Sequence, residues 1–207
     1  MRTALKELSV LVETHPIWIT PAQHRISIPY PAEKHPNGAD NHGYFDLKQN
    51  PAQIANIPEL SGLPELYEFV RRVNAPESLF RTLACGTVLP LVPHFKAKVA
   101  SYVCVCFDVL HWNRSFENFA GLYRAFELRL AKRGVSGGIG VEFEIHPAMY
   151  RLHGIDGWAL TVSNFGDADS GPEARIHWAA GLQLVQDFLD AQNTTYASYG
   201  QDQLRVS

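Results

Sequence analysis

The chain reads as an α+β domain, because its second half alternates between two hydrophobic periods in the order strand, helix, strand, strand, helix. Residues 99–110 set Val99, Val103, Val105, Phe107 and Val109 on one face and Tyr102, Cys104, Cys106 and Asp108 on the other. That is the period of two of a long, central strand. Ser115 then caps a helix through about residue 132, with Phe116, Phe119, Ala120, Tyr123, Phe126 and Leu130 on one side. Gly134, Gly137 and Gly138 end it. Residues 139–146 return to alternation, with Val141, Phe143 and Ile145 opposite Glu142, Glu144 and His146. Residues 158–162 form the returning strand of a hairpin joined through Gly154 and Gly157. Pro172 opens a last helix through about residue 189, and the polar residues 193–207 are left for a closing strand or a tail.

This order is that of a ferredoxin-like sandwich, with both long helices on the Val/Phe face of the sheet. The opposite face carries Tyr102, Cys104, Cys106, Glu142, Glu144 and His146. It must meet water, the first part of the chain, or a second copy in a homodimer.

The first part is more irregular. Residues 1–94 read as a proline-rich extension packing on a core domain of residues 95–207. Ala4, Leu5, Leu8, Leu11 and Val12 recur at helical spacing and predict a short opening helix. Ile17-Trp18-Ile19 and Ile26-Ser27-Ile28 favour strands, but the surrounding prolines confine them to a sheet edge. Residues 31–51 form a polar loop. Pro64 then sits in the first turn of a helix whose stripe is Leu66, Phe69, Val70 and Val73. A second short helix is expected from Pro76, carrying Leu79, Phe80 and Leu83.

Composition excludes several classes. The 207 residues are 46% hydrophobic and 19% charged, which suits a globular domain that needs no disulfide or metal to fold. The formal net charge of −3 argues against nucleic-acid binding, where phosphate neutralisation supplies most of the affinity. The two dense basic pairs, Arg71-Arg72 and Lys132-Arg133, fall late in predicted helices, where cations suit the helix dipole. Lys6 and Glu7 interrupt the first dozen residues, so no secretory signal is read there. The longest apolar runs, 83–92 and 99–110, fall short of the roughly 20 residues a membrane helix needs. Three cysteines, an odd number, read as reduced thiols in the cytoplasm.

Four arrangements could carry chemistry. Glu142-x-Glu144-x-His146 is the most specific, since a strand's period puts all three side chains on one face. Two carboxylates and an imidazole there could share acid–base work or hold a divalent metal, the one cofactor the pattern would accept. A solvated strand face explains the same residues. The loop residues His35, Asp40, His42 and Asp46 offer metal-ligand chemistry, although Asn, Gly, Asp and Pro are also ordinary turn formers. His177 falls among Ala180, Leu184 and Phe188 on the last helix, placed as a catalytic base or as a core histidine bonded to a carbonyl. Cys104 and Cys106 share a face, but with no second pair their expected work is packing. Gly137-Gly138-x-Gly140 leads from helix into strand, opposite to a phosphate cradle, and Asp167-x-Asp169-x-Gly171 lacks the remaining calcium ligands.

The resulting expectation is a soluble, cytoplasmic accessory or interaction protein that binds a partner protein, a peptide or a small ligand without catalysis of its own. The alternative is a small metal-dependent or acid–base enzyme using the open sheet face. What covers that face separates the two. A dry pocket favours chemistry, and a bare face favours a binding module.

Overall fold

The computed structural model describes residues 12–14, 18–34, 36, 40–87, 97–133 and 138–204. Among these, seven strands form one sheet. They are β1 (Val12–Thr14), β2 (Trp18–Ile19), β3 (Ile26–Ile28), β4 (Phe80–Thr87), β5 (Ala97–Phe107), β6 (Ile139–Tyr150) and β7 (Ile155–Ala168). The helices are α1 (Pro64–Val73), α2 (Phe116–Arg133) and α3 (Gly171–Leu204). Across the sheet the order is β6, β7, β5, β4, with β1, β2 and β3 following one another along the outer edge of β6 and parallel to it. The class is α+β. β5 and β6 run parallel with β7 antiparallel between them, and α2 makes the crossover.

One layer of helices covers one face, as the apolar alternation requires. Phe119, Leu122 and Phe126 of α2 and Trp178, Val185 and Phe188 of α3 share a core with Val103, Phe107, Phe143 and Val162 of the sheet. α1 adds Leu66, Phe69 and Val70 to that core. Ion pairs from Arg175 to Glu65 and from Arg72 to Asp190 tie α1 to α3.

Several expectations change. Residues 80–87 are not a helix but β4, which pairs antiparallel with β5 from Phe80 opposite Phe107 to Thr87 opposite Ser101. The spacing of Leu79, Phe80 and Leu83 imitated a helical stripe because the register shifts between Thr82 and Ala84 and breaks the alternation. Asn74 supports the shift: its side chain accepts from the Thr82 N–H at 3.1 Å and donates to Thr82 Oγ1 at 2.8 Å. Consequently β5 lies between β7 and β4, and β6 lies one strand further out. The last helix passes residue 189 and runs to Leu204, so no closing strand forms among the described residues. The two short edge strands stand where the prolines confined them. The predicted opening helix lies outside the described residues, apart from Val12 at the start of β1.

Candidate functional site

The second sheet face is covered by the chain's own first part. After β3 the chain crosses that face, and Ile28 packs with Leu83, Cys104, Cys106, Ala148, Tyr150 and Ala159. The Tyr30 hydroxyl donates to the Leu83 carbonyl at 2.9 Å, and the Tyr44 N–H donates to the Tyr30 carbonyl at 3.1 Å. Beyond Tyr44 the segment rounds the β4 edge. Arg81 reaches Asp46 at 3.3 Å and also pairs with Asp108. Lys48 donates to the carbonyls of Ala75 and Ser78, each at 2.7 Å. Leu47, Ile54 and Leu60 then join the helix-side core.

Between this cover and the sheet lies a cavity of about 630 Å³. That size suits a small organic molecule. Ile28, Tyr30 and Phe45 line it from the cover, and Leu83, Ala84, Tyr102, Cys104, His146 and Thr161 line it from the sheet. Asp40, His42 and Glu59 stand in its wall as well, with His42 Nδ1 2.8 Å from Glu59. Burial pushes the Tyr30 and Tyr102 hydroxyls above their ordinary range and the Cys104 thiol up to about 12. These groups therefore stand in the cavity as neutral hydrogen-bonding groups near neutral pH.

The Glu142, Glu144, His146 pattern lies on this face, since its neighbours Val141, Phe143 and Ile145 are buried in the helix-side core. Its members separate. Glu142 stands opposite Ser163 on β7 and does not line the cavity. Glu144 and His146 are brought together by Thr20, whose N–H is held by the Ile145 carbonyl at 3.0 Å. The Thr20 hydroxyl donates to Glu144 Oε1 and lies 2.9 Å from His146 Nδ1. His146 Nε2 is sheltered from solvent without a hydrogen-bond partner, and Glu144 Oε2 is 3.6 Å away. Leaving such an atom unpaired costs about 1–3 kcal/mol. Burial holds the imidazole below its usual value, and the Glu144 carboxylate opposes that only in part.

The remaining candidates lie elsewhere. His177 bonds the Asp167 carbonyl through Nδ1 at 2.8 Å and does not line the cavity. His35 lies outside the described residues, while Asp40 and His42 reach the cavity wall. Among the described residues, no three His, Cys, Asp or Glu side chains gather into a metal-holding group. Cys104 and Cys106 are buried free thiols that pack against Ile28 and Tyr150. No helix among the described residues is long and apolar enough to cross a membrane.

Thr20, Tyr30 and Thr161 were absent from the sequence reading. Thr161 alone had a local signal, since it alternates with Leu160 and Val162. Comparisons with protein-family models, curated proteins and solved structures give no match.

Proposed function

We propose that this chain binds a small organic ligand in the cavity between the sheet and its N-terminal cover. The observation that carries this reading is the cavity itself, with neutral hydroxyl, thiol and imidazole groups set among apolar walls. A site of this kind orients a ligand by a few polar contacts and gains affinity from buried apolar area. The test is thermal melting against a library of small fragments. Cavity binders should raise the melting temperature of the natural chain. Ala84→Phe places a ring in the cavity and should weaken each by about tenfold or more, ~1.4 kcal/mol. Stabilisation that survives Ala84→Phe undiminished would move the ligand elsewhere.

A second reading has its own support. Glu144 and His146 come together through Thr20, so an acid–base reaction with His146 as the base is the form of enzyme this geometry favours. His146→Gln separates the readings: a binding protein keeps most of its affinity, whereas an enzyme keeps its ligand and loses turnover.

The layout also supports a ferredoxin-like assignment as part of this proposal. β5, α2, β6, β7 and α3 follow that order, and β4, from earlier in the chain, takes the place beside β5 that a closing strand would fill. Free thiols at Cys85, Cys104 and Cys106 accord with a reducing, cytoplasmic setting.

A further inference from the structure

We propose that the cavity takes an organic cation: an ammonium group drawn by the Glu59 carboxylate, on an apolar body seated among the rings of Tyr30, Phe45 and Tyr102. The proposal rests on the cavity being a ligand site and adds the charge of its occupant.

Charge around the cavity has one sign. Asp40 and Glu59 bring carboxylates to its wall, and among the described residues no lysine or arginine lines it. His42 stands in the same wall with Nδ1 2.8 Å from Glu59 Oε1. Even a protonated His42 offsets one carboxylate and leaves the other, so the wall stays negative in either form. Two cations near the β4 edge are engaged away from it. Arg81 pairs with Asp46 and Asp108, and Lys48 donates to the carbonyls of Ala75 and Ser78.

The charge of Glu59 is felt inside. Its side chain is 26% exposed, which shelters the carboxylate from full screening by water. Burial is the main cause that pushes the Tyr30 and Tyr102 hydroxyls and the Cys85 thiol upward, and the Glu59 carboxylate adds to it at all three. The rings supply the rest, because the face of an aromatic ring is negative and attracts an ammonium group. Gly86 pairs with Tyr102 across β4 and β5 and leaves space for its ring, which a Cβ at Gly86 would meet at 2.8 Å. An anion entering this space meets carboxylates and finds no lysine or arginine among the described lining residues. A neutral molecule gains apolar burial alone.

The experiment titrates the full chain near pH 7 with matched triplets of fragments: an amine, an alcohol and a carboxylate on the same phenyl, naphthyl or cyclohexyl body. Thermal melting and the methyl signals of Ile28 and Leu83 report binding. The amine of a triplet should bind about tenfold or more tightly than its alcohol, with the carboxylate weakest. Glu59→Gln keeps an oxygen for His42 and removes the charge, so the amine should lose most of its advantage while the alcohol keeps its affinity. Ala84→Phe should weaken both. Amines that bind no better than their alcohols, with both still weakened by Ala84→Phe, would keep the cavity as a ligand site and remove the cation preference. An amine advantage that survives both Glu59→Gln and Asp40→Asn would remove it as well. Binding untouched by Ala84→Phe, or no binding by any triplet, would instead overturn the cavity as a ligand site and this proposal with it.

Discussion

At the scale of single residues, the site is an exchange between burial and charge. His146 sits where desolvation disfavours its charged form, and Glu144 beside it on the same strand only partly offsets that. Thr20 faces it from the cover, and Thr161 and Cys104 stand nearby on the cavity wall. Its folded value is thus depressed below the ordinary 6.5. The unfolded chain binds the proton more readily, so the contribution of His146 to stability is fully present above about pH 6.5. It is lost as the pH falls from there through the folded value. His146→Phe should flatten this part of the pH–stability curve, measured by denaturant unfolding between pH 7.5 and 5. A natural chain that instead gains stability as pH falls across that window would mean an imidazole stabilised in its charged form by Glu144.

Glu144 and His146 were legible in the sequence because a strand's period puts them on one face. Thr20 was not, because it is 124 residues from Glu144 and no local pattern reveals such a contact.

At the scale of elements, what decides the architecture is how closely α3 can approach the sheet. Gly166 of β7 lies against α3 so tightly that a Cβ there would come within 2.1 Å of the Ala174 carbonyl oxygen and 2.3 Å of the Trp178 nitrogen. The approach lets Trp178 donate to Ser101 Oγ at 2.8 Å, and lets Asn164 donate to the Trp178 carbonyl at 2.6 Å. Gly166→Ala meets backbone atoms that cannot turn aside, so it should cost at least about 2 kcal/mol, measured by urea unfolding. A cost below about 0.5 kcal/mol would show that α3 does not sit this close.

The same scale explains what the sequence concealed. β5 and α2 were readable from period. Only residues 139–146 of β6 and 158–162 of β7 were, because Pro147 interrupts the first alternation and Asn164 and Gly166 replace apolar residues on the buried face of the second. β4 was not. Its irregular register interrupts the alternation, and a short run such as Phe80, Arg81, Thr82 and Leu83 fits either period until its partner is known. The tail of α3 was missed for a related reason: residues 193–204 are mostly polar and carry no apolar stripe, so nothing in their pattern marked a continuing helix.

At the scale of the whole molecule, the two sheet faces divide the work. The helix-side face builds the continuous core from α1, α2 and α3. The other face is only partly filled, by Ile28 and its neighbours from a segment with little regular structure of its own. Such a cover cannot seal a sheet face the way helices do, and the space it leaves is the cavity. No sequence period encodes it. Its walls come from β3, the segment after it, β4, β5, β6 and β7, and these meet only once the chain is folded.

The proposed ligand site on this second face is tested most directly by methyl NMR during titration with a fragment from the melting screen. Ile26, Ile28 and Leu83 line the cavity, whereas Leu122, Val185 and Leu189 lie in the helix-side core. A fragment seated there should shift the first set of methyl signals in a saturable way, with one ligand bound per chain, while the second set stays in place. Shifts concentrated on Leu122, Val185 and Leu189, with Ile28 and Leu83 unmoved, would contradict it.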